Sequence, residues 1–171
     1  MRWIWIDRFV EFVSGSHARA VKNVSLAEEH LHDHYPHFAV MPGSLMLEGM
    51  AQTGGILLGE VNNYREIVIL AKVPNITFHS WAIPGDTITY NARLVNVRPE
   101  GGVVECTATV GERLVAEAEI VFSHLDPALA PTPNVGNARS IVFSENTLHV
   151  LEVGEAGIRP PKAAATTDIG N

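Results

Sequence analysis

Between residues 30 and 60 the chain reads HLHDHYPHFAVMPGSLMLEGMAQTGGILLGE. Two of its side chains are suited to moving protons. His34 lies in a polar, proline-interrupted stretch, and an imidazole titrates near neutrality and can take or give a proton. Glu48 is a carboxylate set among Leu45, Met46, Leu47, Met50 and Ala51. An ionised carboxylate in apolar surroundings is costly unless paired. Such an acid tends to keep its proton and can hand it to a departing hydroxyl. A base and an acid together suit a reaction that removes one proton and expels one hydroxide. Gly43 adds a third element. It opens a helical pattern, and its missing side chain lets a ligand approach the N–H groups at the positive helix end, where an enolate-like oxygen would be stabilised. These groups fit β-elimination of water from a 3-hydroxyacyl thioester, whose carbonyl acidifies the C2 proton. The competing reading of Glu48 is a helix residue facing solvent or a subunit seam.

The neighbouring histidines invite a metal. His30, His32, His34 and His37, with Asp33, supply enough ligands on paper. Their spacing matches no common zinc signature and no cysteine joins them. No metal and no cofactor is therefore expected. The single cysteine, Cys106, alternates with Val104, Ala108 and Val110 and reads as a small buried hydrophobe. With no partner for an internal disulfide, it points to a reducing compartment.

The elements that must position these groups can be read from pattern. Residues 7–25 read as a hairpin about Ser14-Gly15-Ser16, with Phe9, Glu11 and Val13 alternating against Val10, Phe12 and Ser14. Trp3 and Trp5 share a face if the start is extended. Residues 26–42 form a loop with room for one helical turn. Gly43 to about Val61 is helical and apolar nearly all the way round, so it is buried on most sides. Glu48 and Gln52, four apart, share one of its faces. Ile67–Val73 is an apolar strand bounded by Pro74-Asn75, with a short segment Ile76–Trp81 beyond. Three long strands come next: Thr87–Arg98, Val103–Val110 and Leu114–His124. In the last, Leu114, Ala116, Ala118, Ile120 and Phe122 take one face. Short hairpins make the sheet antiparallel. The fold class is α+β, an antiparallel sheet with one long helix as its filling. Residues 1–125 make one domain. From 126 there is a Pro-containing linker, then a segment at 140–153 apolar enough to dock as a strand, then a tail expected to be disordered.

The bulk composition narrows the function. The 171 residues carry a net charge of −7 with no basic run, which argues against coating nucleic acid. No apolar stretch reaches the roughly 20 residues of a membrane span, and the N-terminus has no signal-peptide core. A cytoplasmic protein is expected. Hydrophobic residues at 46% against 18% charged favour an oligomer with a second buried surface.

The run Lys22-Asn23-Val24, His34-Tyr35-Pro36, Val40-Met41-Pro42-Gly43 and Leu47-Glu48-Gly49-Met50-Ala51-Gln52 resembles the 3-hydroxyacyl-(acyl-carrier-protein) dehydratases of fatty-acid synthesis, the FabZ type. The likeness extends back to Asp7-Arg8-Phe9 and forward through Pro84-Gly85-Asp86 and Val115-Ala116-Glu117-Ala118. It implies the hotdog fold, an antiparallel sheet wrapped around one long central helix. It also implies His34 as catalytic histidine, Glu48 as catalytic acid and Gly43 as the backbone donor to the thioester carbonyl. Glu at position 48 resembles the branch that dehydrates without isomerising. In such dimers the two catalytic side chains come from different subunits, so a homodimer or a trimer of dimers is implied, with acyl carrier protein as partner. Phe78 matches an aromatic of the tunnel-side strand, and Gln52 and Phe38 stand as supporting positions. The chain departs from the family at Asp33, where Gly is usual, at His37-Phe38-Ala39 in place of Gly-His-Pro, and at Thr77 in place of Arg. These positions bear on substrate identity. On the same fold, an acyl-thioester hydrolase and a non-catalytic acyl-binding module are the other readings.

Overall fold

The structure, a computed structural model, describes residues 3–126. Apart from Asp126, the expected linker, docking segment and tail lie outside the described residues. The order of elements is β1 (Arg8–Val13), β2 (His17–Asn23), α1 (His30–Asp33), α2 (Gly43–Val61), β3 (Ile67–Phe78), β4 (Thr87–Arg98), β5 (Gly101–Val110) and β6 (Arg113–Leu125). The six strands form one antiparallel sheet in the order β1-β2-β4-β5-β6-β3. The helix α2 lies against β2, β3, β4, β5 and β6, so the sheet encloses it as expected.

α2 starts and stops where its sequence says. Pro42 supplies the fixed φ suited to a helix start, and the chain leaves the helix at Asn62. Met46 and every residue from Gly49 to Gly59 are buried. Met46, Met50, Ile56, Leu57 and Leu58 are almost wholly buried, and such a side chain contributes roughly 1.5–3 kcal/mol relative to exposure. The helix can come so close to the sheet because of its glycines. A Cβ on Gly49 would lie 2.6 Å from both Cε2 and Oη of Tyr90 on β4.

Three patterns differ from simple alternation, each at a slip in register. Phe9 and Phe12 are both buried and meet edge to face at 5.2 Å, because the pairing of β1 with β2 shifts between Phe9 and Glu11. A bulge adds one residue to a strand and re-aims the side chains beyond it. The same device acts on β6, between the pairs Ala108–Ala116 and Thr109–Leu114. Val115 and Ala116 are both buried there and Leu114 is exposed, which corrects its expected place on the core face. The third slip concerns Pro74. The sequence suggested that Pro74-Asn75 divides two segments, yet β3 runs unbroken through it. β3 is an edge strand, where a missing N–H breaks no ladder on the open side. Its pairing with β6 shifts between Lys72 and Asn75 to accommodate the ring.

Two of the short motifs prove to be braces. Asp7 Oδ2 accepts hydrogen bonds from the backbone and side-chain nitrogens of Asn23, at 2.7 and 3.0 Å. Asn23 in turn accepts from the Thr87 hydroxyl at 2.8 Å. Lys22 is buried, and its ammonium reaches Glu28 at 2.8 Å. Pro84-Gly85-Asp86 makes a tight turn with Gly85 at φ 98°. It is pinned by Val24 N–H to Asp86 O and by Ile83 N–H to Asp86 Oδ2.

Candidate active site

The site is assembled at the N-terminal end of α2. Pro42 gives no side-chain cap and the first turn holds no acid. The leading N–H groups of a helix have no intrahelical partner. Those of Gly43 and Ser44 therefore lie at the end of the helix whose dipole favours negative charge. The approach to the helix is fixed by Met41 N–H donating to Ala82 O at 2.8 Å. That bond brings the segment after β3 alongside the helix start. As a result Phe78 packs on Gly43, where a Cβ would meet the ring at 2.8–3.3 Å. Phe38 meets Trp81 edge to face at 5.8 Å. Phe78, Phe38 and Trp81 are each half-exposed and make an apolar rim beside the helix start.

Glu48 is half-buried. Its Oε1 accepts a hydrogen bond from Gln52 Nε2 at 2.9 Å, as the spacing of four on one helix face predicts. Gln52, which is buried, also donates to Trp3 O and accepts from Trp5 N–H, each at 2.8 Å. The pairing of this amide with the N-terminal segment was not legible in the sequence, because nothing local links residues 3–5 to residue 52.

His34 lies just past α1, and its N–H donates to His30 O at 3.2 Å. The His34 ring is exposed and rests edge to face on Tyr35 at 4.3 Å. Among the described residues no hydrogen bond joins His34 to Glu48 within one protomer. The structure thus brings together Glu48 with Gln52 and Gly43 with Phe78, and leaves His34 turned outward. The turn beyond it is Tyr35-Pro36-His37-Phe38, closed by Phe38 N–H to Tyr35 O at 2.9 Å with His37 at φ 69°. Pro followed by a left-handed residue is the signature of a type II turn.

The other titratable groups nearby are structural. Burial would raise the Glu28 carboxyl. The Lys22 hydrogen bond, the Ser25 N–H and the charges of Lys22 and His30 outweigh it and hold the group below its usual value. Burial lowers His30, against the pull of Glu28. Cys106 is buried and its thiol is pushed up to about 12 by desolvation, so it is inert as a nucleophile near neutrality. Among the described residues no three His, Cys, Asp or Glu side chains gather into a metal site.

A six-stranded antiparallel sheet around one buried helix, with an acid on that helix, defines a hotdog protein. Solved structures share the fold. A Streptococcus mutans protein bound to acetyl CoA is 20% identical with a TM-score of 0.57, covering 70% of this chain and 88% of that one. A dehydratase heterocomplex from Xenorhabdus doucetiae is 15% identical with a TM-score of 0.61, covering 72% and 84%. Within that class the chain belongs to the FabA-like domain family, whose model matches residues 3–119, and it is of the FabZ type. The 3-hydroxyacyl-(acyl-carrier-protein) dehydratase FabZ of Lawsonia intracellularis is 36% identical over 120 residues, 68% of this chain and 78% of the relative. The FabZ of a Streptococcus pyogenes serotype M3 strain is 36% identical over 119 residues, 69% and 85% respectively.

Proposed function

We propose that this chain dehydrates 3-hydroxyacyl thioesters carried on acyl carrier protein to trans-2-enoyl thioesters, in fatty-acid synthesis. The observation that carries this reading is Glu48, half-buried on the central helix and hydrogen-bonded by Gln52, on the same helix that begins with the uncapped N–H of Gly43. The thioester carbonyl oxygen accepts from the Gly43 N–H. Negative charge then developing on that oxygen meets the positive end of α2. His34 Nε2 or Nδ1 removes the C2 proton. Glu48 protonates the 3-hydroxyl, which leaves as water while the C2–C3 double bond forms. The enoyl product leaves His34 protonated and Glu48 ionised, and a net proton exchange restores both.

The outward His34 and the absence of a bond to Glu48 among the described residues support a site shared between two protomers. β3 supports the way they join. It is a sheet edge of twelve residues with Ile69 and Leu70 exposed. Such an edge pairs readily with another strand, here β3 of a second copy in a homodimer or in a trimer of dimers. The acyl carrier protein is the partner of the reaction, and docks through local Arg and Lys because the chain's overall charge is −7. No helix among the described residues is long and apolar enough to cross a membrane. A reducing cytoplasm suits the free, buried Cys106.

The test is turnover of 3-hydroxyacyl-carrier protein, monitored both by conjugated-enoyl absorbance and by thiol release. Enoyl formation without thiol release is expected, and is lost in His34→Ala and in Glu48→Gln while both remain folded dimers. Thiol release instead would make the chain a hydrolase. Near-wild-type turnover in either variant would remove that residue from the mechanism.

A further inference from the structure

Residues 3–5 lie ahead of β1, and their backbone is held by one side chain of the central helix. Trp5 N–H can only donate and Trp3 C=O can only accept. Together they decide how the Gln52 carboxamide is turned: its oxygen faces Trp5 N–H at 2.8 Å and its nitrogen faces Trp3 O at 2.8 Å. With that orientation fixed, the second N–H of the amide points to Glu48 Oε1 at 2.9 Å. A primary amide offers two N–H donors and one acceptor oxygen. All three functions are engaged here. Were the amide reversed, Trp3 O and Glu48 Oε1 would each face an oxygen, Trp5 N–H would face a donor, and all three bonds would be lost.

We propose that residues 3–5 are a positioning strap which, through Gln52, dictates which oxygen of Glu48 carries the proton. This inference rests on the dehydratase reading of Glu48. Oε1 is committed as the acceptor of an N–H bond, so the transferable proton resides on Oε2. Gln52 also fixes the plane of the carboxyl, because one of its oxygens is tied to a group that is itself tied twice. A general acid works only when its proton points along the bond that breaks. The strap is also anchored to the turn that carries His34, the base this chain lends to the second site of the dimer. The Trp5 ring packs edge to face on His30 at 5.1 Å, and His30 O receives the N–H of His34. Trp5 thus contacts, through its backbone, the helix bearing the acid and, through its ring, the turn bearing the base. Trp5 Nε1 and His30 Nε2 are both buried without a hydrogen-bond partner. Buried polar atoms left unpaired disfavour a conformation held only for stability. The Trp5 side chain and backbone are positioning groups, and neither touches substrate.

The backbone role separates cleanly from the ring. Trp5→Ala removes the indole and keeps the N–H; Trp5→Pro removes both. Steady-state dehydration by the full-length protein is measured for the wild type and both variants. Exchange of the nitrogen-15-labelled Gln52 carboxamide protons is tracked by NMR in the same samples. The expected result is a kcat for Trp5→Pro about tenfold or more below that of Trp5→Ala, with KM little changed and carboxamide protection lost only in Trp5→Pro. Gln52→Glu, which still accepts from Trp5 N–H but has no donor for Trp3 O or Glu48, is expected to fall as far as Trp5→Pro with its fold intact. Equal kcat in the two Trp5 variants, or carboxamide protection that survives Trp5→Pro, overturns the strap and leaves the dehydratase reading standing. A wild-type chain that forms no enoyl product overturns both.

Discussion

The ring of Phe78 occupies the place a side chain on Gly43 would need: a Cβ there would lie 2.8 Å from Phe78 Cζ and 3.0 Å from Cε1. Position 43 is therefore doubly constrained, once by the aromatic above it and once by the N–H groups beneath it. The two constraints are separable by mutation.

Gly43→Ala is expected to lose most dehydratase activity while costing little stability, since Phe78 is 47% exposed and its ring can swing outward. Gly43→Ala combined with Phe78→Ala removes the crowding. If activity returns in the double variant, Gly43 serves only to seat Phe78. The expected outcome is that activity stays at least about tenfold down, because a methyl at position 43 still blocks approach of the thioester oxygen to the backbone N–H. Enoyl-formation rates of the two single variants and the double variant make this measurement.

His37 stands where the resembled family has Gly, and its φ of 69° gives the reason for that glycine. A non-Gly residue in the left-handed region is strained by about 1–2 kcal/mol. Part of that is offset because glycine is looser in the unfolded chain. His37→Gly is therefore expected to stabilise the protein by at most about 1 kcal/mol, seen as a raised urea midpoint with unchanged slope. A destabilised variant would mean that the imidazole makes contacts which outweigh the backbone strain.

Acid sensitivity arises from the pair of groups at the start of α1. Glu28 in the fold sits below its ordinary 4.5, and His30 below its ordinary 6.5. In both cases the unfolded chain takes up the proton first as pH falls. Each group thus contributes stability that is present above its ordinary value and lost below it. The loss from His30 begins near pH 6.5 and that from Glu28 near pH 4.5. Urea unfolding across pH 7 to 3.5 should show Glu28→Gln less stable than wild type at neutrality, with the gap closing below pH 4.5. A gap independent of pH would show that Glu28 acts through shape and not through its charge.

The helix and the identity of the chemical groups were legible in the order of residues alone. Pro42 and Asn62 bracket α2, its apolar circumference requires burial, and a carboxylate amid that circumference requires a use. Local pattern is enough for these, because the start, the end and the apolar circumference of a helix are decided within a few residues. The hairpins β1–β2, β4–β5 and β5–β6 were legible for the same reason: each is closed by a short turn that sets its partner. The long-range pairings were not. That β3 passes to the far edge beside β6, that it continues through Pro74, and that bulges bury Phe9 with Phe12 and expose Leu114 depend on which strand lies next to which. Period-two alternation carries no information about that. The site divided along the same line. Glu48 with Gln52 follows from helical spacing. Gly43 under Phe78, Phe38 against Trp81, and Trp3 and Trp5 clasped by Gln52 join residues far apart in the chain. The folded sheet decides those contacts, because it fixes which distant backbone comes within hydrogen-bonding reach of the helix.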